Sequence, residues 1–207
     1  MRSQANMPAD ALPQLGTTGR ILEGIVTTQN LDGSVNIAPM GPLVDDSFNI
    51  LILRPFNTST TFENLLRTRR GVLHITDNVE LFAEAALGLV REPRFLREKP
   101  LVLADACRWF AFEIESVDDS QERTHMVART TARGTLREFF GFNRAQHAVI
   151  EAAILATRLH ILQSAEILAE FSRLQIIVDK TGGAIEQRAF RLLRQHVDQT
   201  LAESVRE

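Results

Sequence analysis

The stretch ILEGIVTTQNLDGSVNIAPMGP, residues 21–42, decides the reading of the fold. Ile21, Glu23, Ile25 and Thr27 alternate with Leu22, Gly24, Val26 and Thr28. Both sets contain apolar residues, as expected of a strand covered on both sides. Leu31-Asp32-Gly33-Ser34 follows, and Asp-Gly between two strand-like runs is a strong hairpin signal because glycine adopts φ > 0 cheaply. The second run, VNIAP, leads into Met40-Gly41-Pro42. Its two prolines interrupt ladder hydrogen bonding, and its small residues let a flat ligand approach the backbone. A Pro-terminated edge strand is the simpler account of the same residues.

Downstream, FNILILRPF (48–56) reads as a third strand and GVLHIT (71–76) as a fourth. Between them, RPFNTSTTFEN (54–64) places Arg54 and four adjacent hydroxyl residues, Thr58, Ser59, Thr60 and Thr61, at a strand-to-helix junction. Thr60 and Glu63 have capping-box spacing, so a helix is expected to start near residue 60. A helix start offers unpaired N–H groups and partial positive charge, and arginine adds a charge-assisted contact, so this junction suits a phosphate. It equally suits an ordinary capped turn. Asp77 or Asn78 is expected to cap a further helix through Leu81, Phe82, Ala85 and Ala86, and residues 89–100, with two prolines, read as a loop. Strands are expected over 107–118 and 123–132, the latter broken at Gly134.

From Asn143 the apolar period becomes helical. Val149, Ala152, Ala156 and Leu159 form one face, and Ile167, Phe171, Leu174 and Val178 a second, started by Ser164 and stopped near Gly182-Gly183. Ile185, Ala189, Leu192, Leu193, Val197 and Leu201 form a third. All seven prolines precede residue 101. The expected organisation is therefore a loose tail over 1–19, a β domain over 20–140 and a three-helix extension over 141–207.

The 207 residues carry a net charge of −3, which argues against a nucleic-acid binder needing a strong basic field. There are 21 arginines and two lysines, Lys99 and Lys180, so an anion site has to use arginine or backbone amides. The single cysteine, Cys107, excludes an intrachain disulfide, fits a reducing compartment and reads as a buried apolar thiol. No apolar run is long enough to span a bilayer, and the first residues do not read as a secretory signal. No GxGxxG, P-loop, GxSxG or HExxH pattern occurs, and no Cys/His cluster has zinc spacing.

Residues 21–42, LRPFNTSTTFENL and GVLHITDNVELFAEAAL together resemble an uncharacterised archaeal and bacterial family of FMN-binding split β-barrel proteins, related to the flavin-reductase-like domain. The resemblance covers roughly residues 20–90 and implies an α+β fold with a mainly β core, a split barrel followed by a C-terminal helical bundle. It implies an FMN phosphate at Arg54, Thr58, Ser59, Thr60, Thr61 and Asn64. The isoalloxazine would lie against Asn36, Ile37, Ala38, Pro39, Met40 and Gly41. Phe56 stands where many relatives are expected to have tyrosine. The implied protein is a cytoplasmic homodimer that works as an oxidoreductase, by hydride or electron transfer through the flavin to or from a small molecule. The alternatives are a non-catalytic flavin-binding protein, or a split barrel using a deazaflavin, haem or pyridoxal phosphate. Haem would need an axial ligand, for which His74 is the candidate within the matched blocks. A Schiff base would need Lys99 or Lys180, both outside them.

Overall fold

The computed structural model describes residues 19–204; all of the expected tail except Gly19 lies outside them. Ten strands and five helices follow in the order β1 (Arg20–Ile21), β2 (Gly24–Gln29), β3 (Val35–Met40), β4 (Leu43–Val44), β5 (Ile50–Leu53), α1 (Thr60–Thr68), β6 (Arg70–Ile75) and α2 (Val79–Ala86). The chain continues through β7 (Phe95–Leu96), β8 (Lys99–Leu103), β9 (Arg108–Asp118), β10 (His125–Thr135), α3 (Arg144–Ala156), α4 (Ser164–Thr181) and α5 (Ala184–Ser204).

Residues 20–44 form one long bent hairpin. Its first arm, β1 plus β2, pairs along its whole length with its second, β3 plus β4, and the Leu22 amide donates to the Pro42 carbonyl at the bend. The hairpin turns at Gly33, whose φ of 86° needs glycine. Below the bend β2 joins β6; above it β4 joins β5. Since β6, β9, β10 and β5 are consecutive neighbours, the ladder returns to its start and closes the barrel. This is the split β-barrel with C-terminal helices that the sequence leads one to expect.

The double-sided burial of β2 has a direct cause. Val26 points into the barrel core with Leu51, Leu53, Phe62, Leu65, Leu73, Phe110 and Met126. Ile25 points outward into a second core, shared by α2, α3, α4 and α5 through Phe82, Val149, Phe171, Phe190 and Leu193. Strand β2 is thus the seam between the two cores, and α2 belongs to the helical one, where its Glu80 makes a bidentate pair with Arg188 of α5 at 2.7 and 2.9 Å.

Several local expectations are corrected. The third strand is only Ile50–Leu53, because Asp45 holds Phe48 in a tight turn at φ 54° on one side and Pro55 lacks a donor on the other. Residues 95–103 form a β-hairpin that begins inside the expected loop over 89–100 and runs past its end. Gly134 does not break β10; it pairs with Trp109, and a Cβ there would lie 2.6 Å from the indole nitrogen. Ser59, not Thr60, caps α1, and α4 begins without a side-chain cap; of the two residues expected to cap α2, Asn78 does so. Asp77 instead binds Arg137 and accepts from the Phe140 amide, tying the segment after β10 to the end of β6.

Candidate functional site

Strand β3 is an edge strand, paired only with β2 and half-buried along its length. Pro39, which has no N–H, fits this edge. Ile37 packs against the helical core and Met40 against the barrel core. Ala38 and Pro39 pair with Val26 and Ile25. Distinct polar groupings stand at the two ends of this strand.

At the Asn36 end the grouping is closed. The Asn36 amide donates to Thr61 Oγ1 at 3.0 Å and to Thr28 Oγ1 at 3.3 Å. Buried Asn64 donates to Thr28 Oγ1 at 3.1 Å and to Asn30 Oδ1 at 2.8 Å, while its own oxygen accepts from Arg67 at 3.1 Å. Both amide protons of Asn64 are therefore used, and its place is to hold α1 on β2, with no donor left for a ligand. Ser59 is equally committed: its hydroxyl accepts from the Phe62 amide at 3.2 Å and donates to the Phe56 carbonyl at 2.7 Å. What remains open is the exposed rim. The Thr58 and Thr60 side chains and the amides of Thr60 and Thr61 have no hydrogen-bond partner among the described residues. Free amides at a helix start are donors for an anion.

At the Gly41 end the grouping is open. Arg54 leaves β5 with its Nε buried and without a hydrogen-bond partner. Arg123 donates from its Nε to the Arg54 carbonyl at 3.4 Å and lies over the Phe56 ring, 5.4 Å from its centroid. Glu23 sits in the bend of the hairpin, so close to Gly41 that a Cβ there would come within 2.8 Å of its carboxylate oxygen. Burial pushes the Glu23 carboxyl above its ordinary range, the Glu151 charge adds to this, and Arg123, Arg158 and Arg54 oppose it. Burial, then Arg54 and Arg158, lower the Arg123 guanidinium, and burial with Arg54 also lowers His125. Arg123 and Arg158 belong to no sequence motif, and Glu23, although it lies in the 21–42 stretch, is not among the residues expected to form the site. A fixed, desolvated N–H facing no acceptor is costly unless an acceptor arrives, and the surrounding arginines give that acceptor a negative charge.

His74 is fully buried, with Nδ1 3.2 Å from the Ile25 carbonyl and Nε2 accepting from the Leu103 amide at 3.1 Å. Burial lowers its pKa to about 4. With both nitrogens committed, it has no lone pair for a haem iron, which removes the axial ligand that the haem alternative requires. Cys107 is buried, and burial raises its thiol pKa. Among the described residues no group of three or more His, Cys, Asp or Glu side chains could hold a metal, and no helix is long and apolar enough to cross a membrane.

The fold is a split β-barrel with an open edge strand, carrying an unpartnered arginine nitrogen at one end of that strand and unpaired helix-start amides at the other. The chain belongs to the family described as protein of unknown function DUF447, whose N-terminal domain matches residues 22–137 and whose C-terminal part matches residues 143–195. It is similar in structure to an FMN-bound protein of that family from Methanosarcina mazei, at 24% identity and a TM-score of 0.72, over 85% of this chain and 94% of that one. It is also similar to the flavin reductase HpaC complexed with NADP+, at 18% identity and a TM-score of 0.50, over 59% of this chain and 82% of that one. Both likenesses establish the split-barrel fold.

Proposed function

We propose that this chain is an FMN-binding flavoprotein and acts as an oxidoreductase. The observation that carries this reading is the buried, unpartnered Nε of Arg54, and the two open amides at the start of α1 support it. The DUF447 protein of Methanosarcina mazei is FMN-bound, which agrees with it. In this reading Arg54, Thr58, Thr60 and Thr61 hold the phosphate. Ser59 and Asn64 fix the start of α1, and the edge from Asn36 to Gly41 receives the ring system. Asn36 contributes there through its Oδ1, since both its amide protons are spent on Thr61 and Thr28. Bound FMN supplies hydride or electron transfer to a small-molecule partner, while the chain binds, orients and partly desolvates it. The half-buried open edge of β3 is the face a second copy would cover, giving a homodimer in the cytoplasm. Residues 20–140 serve as the flavin domain and 141–207 as its helical extension.

The test is the visible spectrum of freshly purified protein, with mass spectrometry of the heat-released ligand. Flavin bands and an FMN mass support the reading. A protein that stays colourless after FMN is added back and then desalted contradicts it. Parallel titration with a deazaflavin, haem and pyridoxal phosphate separates the alternatives. Reduction of the bound flavin by NADH or NADPH separates an oxidoreductase from a non-catalytic flavin carrier.

A further inference from the structure

Arg123 is brought to Arg54 by backbone pairing alone. The Asn57 amide donates to the Glu122 carbonyl at 3.0 Å, and the Thr124 amide and hydroxyl donate to the Pro55 carbonyl at 3.0 and 2.8 Å. Phe56 and Arg123 face each other across this short ladder. The Phe56 ring then supports the Arg123 guanidinium, and the Arg54 carbonyl accepts from its Nε. A phenyl ring serves this purpose without a hydroxyl.

Two cations are thereby held together against their mutual repulsion. Eight other arginines make ion pairs, yet among the described residues neither Arg54 nor Arg123 has a carboxylate within 4.0 Å. Glu23 is the acid in the bend beside them. It makes no hydrogen bond among the described residues and is opposed by Glu151 from α3. Arg158, from the turn after α3, adds positive charge to the same place. Adjacent like charges without a carboxylate partner repel each other, and an anion entering between them relieves that repulsion.

We propose that Arg123 is the second arm of an Arg54–Arg123 clamp for a phosphate monoester dianion, with Glu23 as a nearby counter-charge that weakens the clamp. This rests on reading the site as an FMN site and assigns to it a residue outside the phosphate loop. It makes the phosphate of FMN, and not the ring, the group that Arg123 recognises.

The experiment compares affinities of the full chain for FMN and riboflavin by fluorescence quenching, in wild type, Arg123→Ala and Glu23→Gln. Arg123→Ala is expected to lose about 10- to 150-fold in FMN affinity, the range of one charged hydrogen bond, with riboflavin affinity unchanged. Glu23→Gln is expected to tighten FMN several-fold and leave riboflavin as it was, a gain that misfolding does not produce. Equal losses for both flavins in Arg123→Ala, or no gain in Glu23→Gln, overturn the clamp while leaving FMN binding intact. If wild type binds neither flavin, the FMN reading fails, and inorganic phosphate judges the clamp alone. A rise in Tm with phosphate that Arg123→Ala abolishes supports it, and no rise in wild type overturns it.

Discussion

The two ends of β3 differ in saturation. Around Asn36 and Asn64 the side-chain donors meet acceptors, and the result is a rigid joint between α1 and the barrel. Around Glu23 and Gly41 a buried guanidinium nitrogen meets none, and arginines gather without a carboxylate partner. A satisfied polar network specifies structure, whereas an unsatisfied one holds free energy that a ligand of the right charge can release. Sequence composition does not separate the two, since both are built from common polar residues. Only the pairing does.

Variants can break this comparison from the saturated side. The largest effect belongs to His74, another fully partnered group. Its folded pKa of about 4 lies below the unfolded value of 6.5. Stability is therefore complete above pH 6.5 and falls as pH drops toward 4, by about 3 kcal/mol in all. Urea unfolding at pH 7 and pH 4.5, with His74→Leu as the control, measures it. The variant should lose this part of the pH slope, and an unchanged slope would place the titration elsewhere. Next, Asn64→Ala strips partners from Thr28, Asn30 and Arg67 and should cost about 1–3 kcal/mol. Its remaining folded fraction should weaken FMN and riboflavin equally, and a loss confined to FMN would move Asn64 to the phosphate. The smallest effect is Ser59→Ala, about 1 kcal/mol for a lost N-cap. Thermal unfolding would register it, and a cap at Thr60 instead would leave the Tm of this variant unchanged.

Much of the fold is legible in residues 20–76. Alternation on both faces of β2 reflects two real cores, and Asp32-Gly33 does turn the hairpin. The bend at Leu22-Glu23 was not legible, because local pattern carries no information about where a long strand exchanges one neighbour for another. The hairpin over 95–103 was hidden by Pro93 and Pro100, which read as loop signals although only a short ladder was needed. Gly134 read as a break because the close approach of Trp109 is a long-range fact. Arg54 and the run from Thr58 to Thr61 stand out in the sequence as candidates because a hydroxyl cluster before a helix has a local physical meaning. Arg123 and Arg158 were two arginines among 21, and only the pairing of residues 122–124 with 55–57 and the turn after α3 set them apart.

The central claim is that Arg54 waits for a phosphate. Its most direct test is the affinity of Arg54→Ala for FMN and for riboflavin, measured side by side with wild type. The account predicts a loss of about 10- to 150-fold for FMN, corresponding to roughly 1.5–3 kcal/mol, with riboflavin little changed. An equal loss for both ligands would contradict it and place Arg54 against the ring or the fold instead of the phosphate.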